Sequence, residues 1–327
     1  MRRGRFDPRE SITQEAAIFD LRELTGVVPP LVTPFTESGD IDAPALREEI
    51  RYMIDTGVTG IVIGGSTGEG AGLSEDDVAR LVEVSMEAAE GRVPILAGVV
   101  TNDSPEAIRV ARRARDAGAC GLQVPPPHFC FTTEPRILEA YYRAITDATG
   151  LPLIIYNVIP WAQLALRSLE KLVSNNPQIV GIKQSGGNIN ALADLCANLK
   201  GRVRIFTAID DMLYPSFLMG ADGTISGTSS VLPEAAVELI RLVEERRFRE
   251  GLELHERLLP VWRSIEGSDF PSRVKFALRV MGRTGGFPRS PFGPPTPEVA
   301  ARIQAELRAG GFIALRPRLP AAEHSVL

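Results

Sequence analysis

Between Gly26 and about Glu245 the chain alternates two patterns of apolar and polar residues. Short apolar runs at residues 27–32, 60–63, 94–99, 121–124, 153–156, 179–183, 203–207 and 223–226 are rich in β-branched side chains. They lack the every-second-residue polarity of a strand with one wet face, as expected of parallel strands buried on both sides. Between them apolar residues recur at helical spacing, as in Leu46, Ile50, Met53 and Ile54, or Ile137, Leu138, Tyr141 and Ile145. Ser74, Ser104 and Ser168 stand where helix N-caps are wanted, and Gly57, Gly91, Gly118 and Gly150 stand just past helix ends. Eight strand–helix units in series predict an α/β fold, a (β/α)8 TIM barrel rather than an open doubly wound sheet. Thr33-Pro34-Phe35 follows the first run where a dinucleotide-binding domain would carry its glycine fingerprint, which argues against such a domain. Three additional C-terminal helices are expected at 252–265, 273–281 and 297–309, the last capped by Thr296-Pro297-Glu298. The chain therefore divides into an N-terminal extension (1–25), the barrel (26–247), a helical segment packed on it (248–312) and a C-terminal tail (313–327).

Composition narrows the function class. A net charge of −5 in 327 residues leaves no basic footprint for nucleic acid or an anionic membrane. No run approaches the ~18 consecutive apolar residues that a membrane span requires. The basic N-terminus has no apolar core and no small-residue cleavage site, so a cytoplasmic protein is expected. Three scattered cysteines (Cys120, Cys130, Cys196) do not suggest a disulfide framework. Three histidines (His128, His255, His324) without ligand spacing suggest no metal site, and no cofactor is expected.

In a barrel the chemistry gathers at the C-terminal ends of the strands. Of the 36 basic residues only Lys171, Lys183, Lys200 and Lys275 are lysines, and Lys183 ends the apolar run Ile179-Val180-Gly181-Ile182. A desolvated lysine can lose its proton and become a nucleophile, which arginine cannot do. Taken alone, however, an apolar run ending in a charge is more often a strand end reaching for solvent. Gly65-Ser66-Thr67-Gly68-Glu69 ends the second strand with two hydroxyls and small residues whose N–H groups can face inward; it suits a carboxylate, or is a plain turn. Tyr156 ends the fifth strand as either a satisfied core tyrosine or, beside a lysine of the next strand, a proton shuttle.

The three segments occur in one order that resembles the dihydrodipicolinate synthase / N-acetylneuraminate lyase family. Gly65-Ser66-Thr67-Gly68-Glu69 resembles its G-[ST]-T-G-E loop, Tyr156-Asn157-Val158 its Y-N-x-P segment, and Gly181-Ile182-Lys183 its G-[IV]-K segment. Thr33-Pro34-Phe35 and the stretch 220–227 agree as well, so the likeness spans about residues 26–312. The resemblance implies a class I aldolase or lyase in which Lys183 forms a Schiff base with pyruvate or a longer 2-oxo acid. By the same resemblance Gly65, Ser66 and Thr67 hold the substrate carboxylate, Tyr156 relays protons, Ile225 lines the site, and Thr67 counts with Lys183 and Tyr156 among the catalytic residues. Glu69 takes no role from the resemblance and is expected to brace the loop. It also implies a homotetramer, a dimer of dimers.

Two departures point away from the synthase itself, 4-hydroxy-tetrahydrodipicolinate synthase acting on pyruvate and aspartate semialdehyde. The synthase loop after strand four donates a second relay tyrosine, but here that loop reads Pro126-Pro127-His128-Phe129. The synthase arginine past the Y-N-x-P tyrosine is absent from Tyr156-Asn157-Val158-Ile159-Pro160-Trp161-Ala162-Gln163. The loop Gly65-Ser66-Thr67 is closer to the lyase and sugar-acid aldolase branches, in which residues after strand seven bind distal hydroxyls. Asp210 and Asp211 stand there, either as hydroxyl ligands or as helix N-caps. Trp161 either stacks on an apolar end of the substrate or covers the mouth, and His128 is either an acid–base group or a solvated loop residue. A reading from another class is a barrel that binds a 2-oxo acid without catalysis; the presence of both Lys183 and Tyr156 argues against it.

Overall fold

The computed structural model describes residues 19–129 and 133–313. All eight apolar runs form strands: β1 (Gly26–Val27), β2 (Ile61–Ile63), β3 (Ile95–Gly98), β4 (Gly121–Val124), β5 (Leu153–Asn157), β6 (Ile179–Gln184), β7 (Arg204–Thr207) and β8 (Gly223–Thr224). They are parallel and lie in the order β1-β8-β7-β6-β5-β4-β3-β2. The ring closes where Val62 N–H donates to Pro29 O at 3.0 Å and Leu31 N–H to Val62 O at 2.9 Å. The first strand is shorter than the run 27–32 suggests. Pro29 and Pro30 have no N–H to give a ladder, so the segment joins β2 by single bonds and a bridge at Pro30.

Alternation along the strands sorts two cores. Ile61, Ile63, Ile95, Ala97, Leu122, Val124, Ile155, Ile182 and Ile205 face outward onto the barrel helices α1 (Ala43–Asp55), α2 (Glu75–Ala89), α3 (Ser104–Asp116), α4 (Pro135–Thr149), α5 (Leu166–Asn175) and α6 (Ile189–Leu199). Val28, Val62, Leu96, Ile154, Val180, Phe206 and Ile225 face inward and fill the centre. Leu21 and Leu24, assigned to the extension from sequence alone, join this inner cluster and plug the N-terminal end of the barrel. Residues 1–18 and 314–327 lie outside the described residues.

Helix signals held in part. Ser74 caps α2 with a full capping box, Thr296 caps the last helix, and the four expected glycines have φ between +71° and +101°. Ser104 is instead the first residue of α3, whose cap is Asp103. Ser168 is no cap: α5 begins at Leu166, two residues earlier, with Ala165 before it and no side-chain cap bond. After the short α7 (Leu213–Leu218) and α8 (Gly227–Val231) come α9 (Pro233–Glu244), α10 (Phe248–Ile265), α11 (Phe270–Val280) and α12 (Pro297–Ala309). Helices α10 and α11 begin four and three residues before the expected starts. Leu239, Leu242, Leu258, Val261, Val274, Leu278, Ile303 and Leu307 build a further core that fixes these helices against the barrel.

Candidate active site

The register of β5, β6 and β7 sets Tyr156, Lys183 and Phe206 side by side. Ile182 faces the helices, so its neighbour Lys183 must face the barrel interior. Lys183 is only 4% exposed, and its Nζ stands 4.2 Å from the centroid of the Tyr156 ring. Burial disfavours the ammonium and pulls its pKa from the ordinary 10.5 down to about 7, against the opposing pull of the Asp210 charge. Lys183 is therefore not a strand-end charge reaching for water.

Tyr156 is buried, and its hydroxyl donates to Ser66 Oγ at 2.9 Å. Burial raises the phenol's pKa, so it stands protonated at neutral pH. This bond joins β5 to the turn Ser66–Gly68 at the end of β2. Thr67 is buried, and the N–H groups of Ser66 and Thr67 have no acceptor among the described residues. Two unpaired donors on one turn offer an anion the bonds the backbone lacks.

Glu69 holds this turn in place. Its backbone is left-handed, with φ of 60°, and its buried carboxylate pairs with Lys275 of α11 and accepts from Arg289 N–H at 3.0 Å. Lys275 also donates to Phe287 O at 2.7 Å. A Cβ at Gly70 would lie 2.2 Å from Gly64 O, so only glycine fits the fold-back that follows. The expectation that Glu69 braces the loop agrees with these contacts. Lys275 was missed, although the scarcity of lysine that singled out Lys183 applied to it equally.

Asp210 is buried near Lys183, and burial raises its carboxyl to about 6 against the hydrogen bonds it receives. Its Oδ1 accepts from Thr228 N–H at 2.6 Å, at the start of α8. Asp210 thus braces the first turn of a helix after strand eight, whose N-cap is Ser226, rather than the helix it precedes, and Asp211 makes no side-chain cap bond to α7. Ile225 is fully buried in the inner cluster, so its side chain is packed rather than open to a ligand.

The remaining two residues sit at the mouth. Trp161 is 63% exposed, and its Nε1 donates to His128 O at 2.7 Å. The His128 ring nitrogen Nδ1 lies 3.0 Å from Pro126 O in its own loop, and Asn102 Oδ1 accepts from the N–H groups of His128 and Phe129. The His128 ring bonds neither Lys183 nor Tyr156. Asn157 supports the neighbouring loop, accepting from Leu164 N–H at 2.7 Å and donating to Gln184 Oε1 at 2.7 Å. Among the described residues no group of three His, Cys, Asp or Glu is placed to hold a metal, and no helix is long and apolar enough to cross a membrane.

Comparison with known proteins agrees with this geometry. The model of the dihydrodipicolinate synthetase family matches residues 23–309. The 4-hydroxy-tetrahydrodipicolinate synthase of Salinibacter ruber is 33% identical over 271 residues, covering 82% of this chain and 89% of its own. The prophage protein YagE of E. coli K12, solved in complex with pyruvate, superposes with a TM-score of 0.84 at 25% identity, covering 89% of this chain and all of its own. CdNal of Clostridium difficile, solved in complex with mannosamine, superposes with a TM-score of 0.80 at 26% identity over 88% of this chain and 99% of its own. An α/β barrel with this sequence likeness along nearly its whole length belongs to the dihydrodipicolinate synthetase family and is a lyase of the class I aldolase type.

Proposed function

We propose that Lys183 is the Schiff-base lysine and that the substrate is pyruvate or a pyruvate-derived 2-oxo acid of the sugar-acid kind. One observation carries this reading: a buried lysine with a pKa of about 7, stacked beside a protonated tyrosine. Neutral Nζ adds to the keto carbon, and the carbinolamine loses water to give a protonated imine. The imine withdraws electrons as the bond between C3 and C4 breaks, leaving an enamine on C3 while the C4 hydroxyl gives up its proton and becomes an aldehyde. The enamine then takes a proton, and water hydrolyses the imine, releasing pyruvate and neutral Lys183.

Tyr156 is the proton relay in this scheme. Its phenol donates to the carbinolamine hydroxyl as water leaves and recovers a proton from the substrate hydroxyl on cleavage. Gly65, Ser66 and Thr67 hold the carboxylate with their N–H and hydroxyl groups. Asp210 and Asp211 take the distal hydroxyls, and Trp161 with His128 forms the wall of the mouth. The same imine supports loss of a hydroxyl instead of C–C cleavage, which makes a dehydratase the neighbouring activity. The homotetramer implied by the resemblance and the cytoplasmic location expected from the N-terminal sequence belong to the same reading.

The synthase reaction with aspartate semialdehyde is disfavoured, because residues 126–129 lack a tyrosine and residues 157–166 lack an arginine. A panel of 2-oxo sugar acids assayed for pyruvate with lactate dehydrogenase tests the proposal. Pyruvate release from at least one member is expected. Turnover of pyruvate with aspartate semialdehyde alone would contradict it.

A further inference from the structure

Position 123 breaks the pattern of the barrel interior. Leu122 and Val124 face outward, so Gln123 between them faces inward. Inward positions on the neighbouring strands β3 and β5 include Leu96 and Ile154, and Val62 and Phe206 hold inward positions on β2 and β7. Gln123 is 1% exposed, and neither its Oε1 nor its Nε2 has a hydrogen-bond partner. An amide without partners in an apolar interior is costly, and buried polar groups are otherwise almost always satisfied.

The amide also has a direction. Nε2 lies 3.4 Å from where a Cβ of Gly65 would stand, against the back of the carboxylate turn. Gly98, paired in register with Gln123, approaches Gly64 so closely that its Cβ would lie 2.5 Å from Gly64 O. The missing side chain of Gly65 leaves the amide its place beside the turn whose Ser66 and Thr67 N–H groups are also unpaired, and the close backbone approach of Gly98 holds that turn against the end of β3. The unpaired amide of Gln123 therefore adjoins, through Gly65, the turn that carries the unpaired N–H groups of Ser66 and Thr67.

We infer that Gln123 is a further substrate-binding residue, whose Nε2–H donates to the carboxylate of the bound 2-oxo acid alongside the turn at Ser66 and Thr67. The inference rests on the Schiff-base reading for the identity of the ligand. A carboxylate only accepts hydrogen bonds, so it can satisfy the amide and the two backbone donors together. An apolar residue here would give a better packed empty barrel but a weaker grip on the acid.

The test is a titration of the whole protein with pyruvate under borohydride, reading the fraction of chains covalently modified by intact mass. In Gln123→Leu the pyruvate concentration for half-modification is expected to rise about tenfold, as for loss of one charge-assisted hydrogen bond. Modification should still approach completion at saturating pyruvate, and the thermal midpoint without ligand should not fall. Gln123→Met, whose flexible chain refits an irregular gap, should behave alike. Gln123→Glu should raise the half-point further, because two carboxylates then face each other. Half-points within twofold of wild type in both apolar variants would overturn the inference, as would a lowered thermal midpoint in both. Absence of any adduct in the wild type would instead overturn the Schiff-base reading.

Discussion

Replacing Lys183 by methionine should stabilise the fold, and the gain should depend on pH. The fall of its pKa from 10.5 to about 7 corresponds to about 5 kcal/mol, since each pKa unit is 1.36 kcal/mol. The unfolded chain keeps the Lys183 proton up to about pH 10.5, and the folded chain keeps it only to about pH 7. Between these values the unfolded state binds more protons, so the stability of the wild type rises with pH relative to Lys183→Met. Below pH 7 the proton is bound in both states, and the full cost of burying the charge falls on the wild type. Lys183→Met should therefore exceed it by up to about 5 kcal/mol at pH 6, with the gap closing steadily as pH rises through 8 and 9. Urea unfolding of both proteins at several pH values, analysed by linear extrapolation, measures this gap. A gap that is constant with pH, or a variant less stable than wild type at pH 6, would refute the argument that Lys183 is stored neutral.

Other expectations follow from the same geometry. Tyr156→Phe removes the hydroxyl bonded to Ser66, and the rate of pyruvate adduct formation should fall about 10²–10⁴-fold with the fold intact, measured by timed borohydride quench. Asp210→Asn removes a charge that holds the Lys183 pKa up, so the midpoint of the pH–rate profile for adduct formation should move below its wild-type position near 7. Lys275→Met leaves the Glu69 carboxylate buried without its ammonium, at a cost of about 3–5 kcal/mol in urea unfolding, while adding Glu69→Gln should recover much of it. Equal losses in the single and double variants would show that the pair does not act as one unit.

Much of this site is legible in the sequence because parallel strands expose their chemistry through simple alternation. Eight β-branched runs predicted the barrel, and ordering Ser66-Thr67, Tyr156 and Lys183 by strand predicted their convergence. The proline pair at 29 and 30 shortened β1, an effect of missing N–H groups that an apolar count does not register. Ser168 carried a capping residue type without the position, since α5 starts where Leu166 gains burial contacts rather than where a hydroxyl stands. The pairings of Lys275 with Glu69 and of Thr228 with Asp210 span 206 and 18 residues. Pairings across the chain leave no local pattern. Gln123 was counted within an apolar run, although a lone amide inside such a run is itself a signal.

The most direct test of the account is borohydride reduction of the wild-type protein in the presence of pyruvate, followed by peptide mass mapping. The account predicts one reduced pyruvate adduct, carried by the peptide that contains Lys183 and absent from Lys183→Ala. An unmodified Lys183, or an adduct on Lys171, Lys200 or Lys275 in its place, would contradict it.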